Sequence, residues 1–226
     1  MTFDEYFGDW AKVIDKTETA KIMKWLNTVD KDTLCPSTKN IFKAFKVTPF
    51  KGLKVIVVSQ DPYPQKGVAQ GILFANSADT KVLSPSLEIV KESVIDYSIP
   101  HNHINFDITL ESWCKQGVLM INSAFTCEVN NVGSHYNIWE GFTSKLLNNI
   151  STYDDGYVFI LFGKQAQSFR HNIVGNHLIL EEYHPAYYAR NGTIMPNYIF
   201  SETNKYLKNK YGQTIEWYKE DNILEG

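Results

Sequence analysis

A run of four β-branched residues, Val55-Ile56-Val57-Val58, limits what this chain can fold into more than any other feature. Branched side chains crowd a helix and suit a pleated sheet, and an apolar run without alternation suits a strand buried on both faces. Further runs of this kind recur down the chain. Strands are predicted over 53–59, 118–121, 157–162 and 177–180. Helical spacing lies around them: 17–28 through Ala20, Ile22, Met23, Trp25 and Leu26; 40–45; 86–94 after the turn Ser84-Pro85; 109–115, stopping at Gly117; 139–150 through Trp139, Phe142, Leu146, Leu147 and Ile150; 164–169; and 198–210. Strands alternating with helices imply βαβ units. The expected fold is α/β, a central, mainly parallel four-stranded sheet with helices on both faces, in a single domain over 1–226.

Such a sheet binds ligands beyond the carboxyl ends of its strands. The polar residues fall there. Asp61 follows the first strand, Asn122 closes the second, Gly163-Lys164 follow the third, and His184 lies just past the fourth. Four chemically able positions on one sheet edge predict one site.

Composition narrows the options. At 226 residues and 43% hydrophobic, the chain can bury one sizeable core. It has no 18-residue apolar run, so no transmembrane helix is expected. The start, Met1-Thr2-Phe3-Asp4-Glu5-Tyr6, is acidic and lacks a secretory apolar stretch, so a cytoplasmic location is expected. The cysteines Cys35, Cys114 and Cys127 are far apart and odd in number, so reduced, mostly buried thiols are expected, with no disulfide framework, metal site or iron–sulfur cluster. The net charge of −3 is unusual for a nucleic-acid binder. It is uneven, however. Over 157–212, six basic residues (Lys164, Arg170, Arg190, Lys205, Lys208, Lys210) face three acids (Glu181, Glu182, Glu202), enough for a local basic face.

The segment after the first strand reads Gln60-Asp61-Pro62-Tyr63. With Gly71-Ile72-Leu73-Phe74, Gly117-Val118-Leu119-Met120-Ile121-Asn122, Phe159-Ile160-Leu161-Phe162-Gly163-Lys164-Gln165-Ala166-Gln167 and His184-Pro185, it resembles family 1 uracil-DNA glycosylases in content and order. The resemblance spans most of the chain, from Cys35-Pro36-Ser37 to Ile215-Glu216-Trp217. It implies that the chain flips uracil out of DNA and hydrolyses its N-glycosidic bond, leaving an abasic site and using no cofactor or metal. The implied partners are uracil-containing single- and double-stranded DNA and DNA-mimic inhibitor proteins, with no membrane, and the implied state is a monomer.

By this resemblance Asp61 and His184 are catalytic. A carboxylate stabilises the oxocarbenium-like sugar and positions the attacking water; a neutral imidazole donates to uracil O2 as the base departs as an anion. Gln60, Tyr63, Phe74 and Asn122 would hold the base. Asn122 offers one acceptor and one donor, matching uracil N3–H and O4 and opposing cytosine. Tyr63 would exclude the thymine methyl and Phe74 would stack. DNA contacts fall to Pro62, Ser86, His135, Lys164, Pro185, Ala186, Tyr187, Tyr188 and Arg190, with Tyr188 as the wedge that enters the duplex. Bland readings stand beside these: an Asp-Pro turn for Asp61, a turn residue for Asn122, and core packing for any of 13 Phe and 13 Tyr.

The chain departs from the family at Ser59, where glycine is usual, and at Pro64, where histidine is usual. In His184-Pro185-Ala186-Tyr187-Tyr188-Ala189 alanines replace both serines of His-Pro-Ser-Pro-Leu-Ser, and Tyr188 replaces the leucine. The alternative is a non-catalytic DNA-binding or scaffold protein that retains the fold.

Overall fold

All four apolar runs become parallel strands. The computed structural model describes residues 1–95 and 104–220 and contains, among them, eight strands and nine α-helices. In chain order the strands are β1 (Leu34–Cys35), β2 (Val55–Ser59), β3 (Ile104–Asn105), β4 (Val118–Asn122), β5 (Cys127–Glu128), β6 (Val158–Phe162), β7 (Leu178–Glu182) and β8 (Lys219–Glu220). The helices are α1 (Phe3–Phe7), α2 (Lys16–Leu26), α3 (Lys43–Val47), α4 (Pro85–Val94), α5 (Glu111–Lys115), α6 (Tyr136–Tyr153), α7 (Gly163–Gln167), α8 (Pro185–Asn191) and α9 (Tyr198–Tyr211). The central sheet has the order β4-β2-β6-β7, every pair parallel. Two antiparallel pairs, β1 with β5 and β3 with β8, lie outside it.

Every residue of β2 and β6 is buried, although successive side chains point to opposite faces. Both faces of the sheet are therefore covered, as the unalternating runs predict. The core includes Trp113, Trp139, Phe142, Phe159 and Phe162, all buried. On the β4 edge, the Leu73 amide donates to Met120 C=O (3.1 Å), so the 71–74 segment lies against that strand.

Differences from the sequence reading have local causes. β2 starts at Val55 because the Leu53 amide is used in a turn to Phe50 C=O (3.1 Å). The helix expected over 40–45 is instead a 3-10 turn (Thr38–Asn40) followed by α3. The Ala44 amide, which a continuous helix would direct to residue 40, donates to Gly71 C=O (3.2 Å). α8 forms at the His-Pro motif, where no helix is predicted: His184 is its N-cap and Pro185 its first residue, a position proline suits.

That crossing depends on Gly71. Its φ is +78°, and a Cβ there would lie 1.8 Å from Asn40 C=O. Gly71→Ala is expected to destabilise the protein by at least about 1–3 kcal/mol from backbone conformation alone, with the collision adding to it. Chemical denaturation of the variant against the parent checks this.

Candidate active site

β2 and β4 stay paired past their last strand residues. Ser59 faces Asn122 in register, and the Ser123 amide donates to Ser59 C=O (2.8 Å). The Ala124 amide and the Ser123 hydroxyl both donate to Gln60 C=O (3.0 and 2.8 Å). These bonds aim the chain after β2 over the carboxyl edge of the sheet. There a cavity of about 250 Å³ opens. It brings together Gln60, Asp61, Pro62, Tyr63, Phe74, Ser86, Asn122, His184, Ala186 and Arg190, ten of the residues singled out in sequence.

The cavity fixes its polar groups individually. Asp61 Oδ2 accepts the Gly133 amide (2.7 Å). Burial pushes the Asp61 carboxyl up from its ordinary value, and the Gly133 bond opposes that shift. His184 Nδ1 accepts the Ala186 amide (3.0 Å), so the proton of the neutral ring is on Nε2. Burial, joined by the Arg190 charge, lowers the His184 imidazole to about 4, which makes it neutral at pH 7. Gly163, at the start of α7, has φ +81° and packs against the base of this side chain: a Cβ there would lie 3.2 Å from His184 Cβ. Asn122 Oδ1 is buried without a hydrogen-bond partner among the described residues, which leaves it free to accept.

The residues of the aromatic wall are tied to one another. The Tyr63 hydroxyl donates to Phe74 C=O (3.1 Å). Burial raises the phenol above its usual range, opposed by the hydroxyls of Ser84 and Ser86 and by the Leu87 amide. Phe74 is held at φ +62°, a backbone state costing of order 1–3 kcal/mol that tends to mark functional sites. Its ring meets Phe162 and His184 edge-on, at 5.6 and 5.7 Å between centroids. The arrangement can enclose one planar heterocycle, hydrogen-bond its edge, donate to a developing anion, and hold a carboxylate near a developing cation.

Five expected DNA contacts lie outside the cavity lining. Lys164 is exposed on α7. His135 is buried; Thr126 Oγ1 accepts from Trp139 Nε1 (2.7 Å) and lies 3.0 Å from His135 Nδ1, and the His135 ring meets Trp25 edge-on. It is a packing residue, and burial holds its imidazole below the ordinary value. Pro185 is buried at the start of α8. Tyr188, the expected wedge, does not lie at the surface. It is only 8% exposed, and its hydroxyl donates to buried Glu182 Oε1 (2.6 Å). Swinging it out would break a charged hydrogen bond that contributes roughly 1.5–3 kcal/mol. The helical turn is the reason: it points Tyr188 inward and leaves Tyr187 outside, 42% exposed. Ser86 lines the cavity wall beside Tyr63 rather than the outer face.

Sequence reasoning missed two contributors. Val132 lines the cavity and the Gly133 backbone amide holds Asp61. His135, two residues on, drew attention to this segment through its ring, whereas the Gly133 amide that reaches the site carries no residue-specific mark.

An α/β sheet whose carboxyl edge carries a small cavity with a half-buried carboxylate and a neutral imidazole defines a site suited to a flat polar ring. The profile of the Uracil DNA glycosylase superfamily matches residues 45–208. A uracil-DNA glycosylase of Borrelia turicatae is 43% identical over 183 residues, 79% of each chain, and one from Fusobacterium nucleatum is 32% identical over 93% of this chain and 95% of the other. The chain belongs to the uracil-DNA glycosylase superfamily. Its fold matches the crystal structure of mimivirus uracil-DNA glycosylase with a TM-score of 0.71 at 23% identity, covering 96% of this chain and 93% of that one. A variant of the mimivirus protein in complex with UGI superposes with a TM-score of 0.69 at 21% identity, covering 95% and 92% of the two chains.

The His184 ring makes a pH prediction. Its folded pKa, about 4, lies below the ordinary value of 6.5, so the unfolded chain binds the proton first. Stability from this group is complete above about 6.5, falls as pH drops toward 4, and levels off below that. His184→Gln should therefore lose less stability than the parent between pH 7 and pH 4, a difference of the order of a few kcal/mol. Denaturant titrations at the two pH values measure it.

Proposed function

We propose that the chain is a monomeric, cytoplasmic family 1 uracil-DNA glycosylase that flips uracil from single- or double-stranded DNA and hydrolyses its N-glycosidic bond. Flipping is required because the reacting sugar carbon is inaccessible within the base stack. The observation that carries this reading is the orphaned, buried Asn122 Oδ1 in the same cavity as Asp61 and His184.

Seated there, uracil N3–H donates to Asn122 Oδ1 and the side-chain amide donates to O4. Cytosine presents an acceptor and a donor in those places and meets two mismatches. Phe74 stacks on the ring. Tyr63, held at its hydroxyl by Phe74 C=O, occupies the space a C5 methyl would need. As the bond stretches, negative charge moves to the base and positive charge to the sugar. The neutral His184 donates from Nε2 to O2; it needs no counter-charge in the ground state and acts where charge develops. Asp61, with one oxygen on the Gly133 amide, uses its carboxylate to stabilise the sugar cation and position water on it. The products are free uracil and an abasic site. Strand cleavage is not part of this scheme.

On the DNA side, Arg190 at the cavity mouth and Lys164 on α7 supply positive charge, and Pro62, Ser86 and Ala186 shape the passage to the cavity. A DNA-mimic inhibitor protein would use the same edge. The complex of the mimivirus variant with UGI supports that reading.

Uracil release from labelled oligonucleotides, with a chelator present, tests the whole. Asp61→Asn and His184→Ala should each slow release by at least about 100-fold while DNA binding persists. A parent protein that binds DNA and releases no uracil would return the chain to the scaffold alternative. Base choice is separately testable. Tyr63→Ala is expected to release thymine, and Asn122→Asp to release cytosine, because a carboxylate accepts from the cytosine amine. High-resolution analysis of bases freed from T- and C-containing duplexes, with folding checked by circular dichroism, reads both.

A further inference from the structure

The catalytic scheme leaves unused a pair of cysteines that lie against the segment carrying Asp61 and Tyr63. Cys35 of β1 and Cys127 of β5 are cross-strand partners in their antiparallel pair, and both are buried. Residues directly opposed in a ladder point to the same face. The two thiols therefore meet one target together, the stretch that follows β2. The Cys127 thiol donates to Pro62 C=O (Sγ to O, 3.5 Å) and the Cys35 thiol to Pro64 C=O (3.4 Å), so the two bonds straddle Tyr63.

The segment itself creates the need for such bonds. Pro62 and Pro64 have no N–H, so at both positions the backbone can be held only through its carbonyl. The donors must come from a neighbouring element. The Glu128 and Val129 amides are committed to Ser134 Oγ and Thr33 C=O (both 2.8 Å), which leaves the side chains of this pair to reach the prolines. The turn after β5 adds the Asn130 amide on Pro64 C=O (2.9 Å) and the Gly133 amide on Asp61 Oδ2 (2.7 Å). At its far end the Tyr63 side chain is tied by its hydroxyl to Phe74 C=O. A thiol suits the place: it is small and apolar enough to pack with Ala69, Val129 and Tyr63, and it still has a proton to donate. Burial pushes both thiols up from their ordinary value, and at Cys127 the Asp61 charge acts in the same direction, so both keep that proton at neutral pH.

We propose that Cys35 and Cys127 are positioning residues for the catalytic segment: their thiol protons fix the carbonyls on either side of Tyr63, and through them the placement of the Asp61 carboxylate and the Tyr63 ring. What the segment acts on rests on the proposed function; the two bonds stand apart from it.

Uracil-release kinetics and the infrared S–H stretching bands of the protein test this together. In the parent, the Cys35 and Cys127 bands, assigned by their loss in Cys35→Ala and Cys127→Ala, should lie at the lowered frequency of a thiol bonded to a carbonyl. Each alanine variant should lower kcat roughly 2- to 13-fold, the range of one net hydrogen bond, while KM for DNA moves by less than about twofold. Serine at either position should recover most of the lost kcat, because its hydroxyl donates where the thiol did. The double alanine variant should also begin to release thymine, since the Tyr63 wall has lost its backbone support. Equal losses in the serine and alanine variants would assign the pair to packing and overturn the proposal. Unchanged kcat in both alanine variants, or parent S–H bands at the unbonded frequency, would overturn it as well. Should an alanine variant fail to fold, the parent bands and the serine variants decide: lowered bands with kcat retained support the proposal, and unbonded bands sink it. A parent that releases no uracil contradicts the proposed function, and the S–H bands alone then judge the two bonds.

Discussion

The parallel pairing of β2 with β4, carried past the strand ends by the Ser123 and Ala124 amides, is the constraint on which the site depends. It fixes how far the Gln60–Tyr63 segment advances relative to Asn122. A one-residue slip in a strand moves every side chain to the other face, and β2 is buried on both, so the register has little freedom. Asp61 and Asn122 are therefore placed by the core. β6 and β7 add the other half of the cavity in the same way, with Phe162 and Glu182 in register immediately before the segments that carry Gly163 and His184.

Burial then sets the chemistry. It acts on Asp61 and His184 in the direction that opposes charge on each, raising one pKa and lowering the other. The imidazole is left neutral at pH 7, with its tautomer fixed by the Ala186 amide. The carboxyl keeps one backbone donor, which counters part of the burial effect. A site built this way puts its few polar groups in place before substrate arrives, so little reorganisation accompanies charge separation.

The central sheet was legible in the chain because unalternating β-branched runs have few other uses. The placement of Asp61, Asn122 and His184 in one cavity followed from strand order and the carboxyl-edge rule. The burial of Tyr188 was not legible, for a specific reason. Matching residues 184–189 to a motif position by position carries no information on burial, whereas α8 gives them helical phase and turns Tyr188 toward Glu182. The Gly133 amide was invisible because every residue but proline has one. The Ala44–Gly71 bond, which divides the helix expected over 40–45, joins segments 27 positions apart, beyond the reach of local pattern.

The bond from the Tyr63 hydroxyl to Phe74 C=O joins the wall that would select the base to the backbone that would support stacking on it. The two are one mechanical unit. Trimming Tyr63 to widen substrate range also frees the carbonyl of a residue already held at an unfavourable φ. A variant trimmed at Tyr63 should therefore be a slower one as well as a less selective one: along this wall fidelity and turnover share one support, and a change at Tyr63 cannot shift one without moving the other.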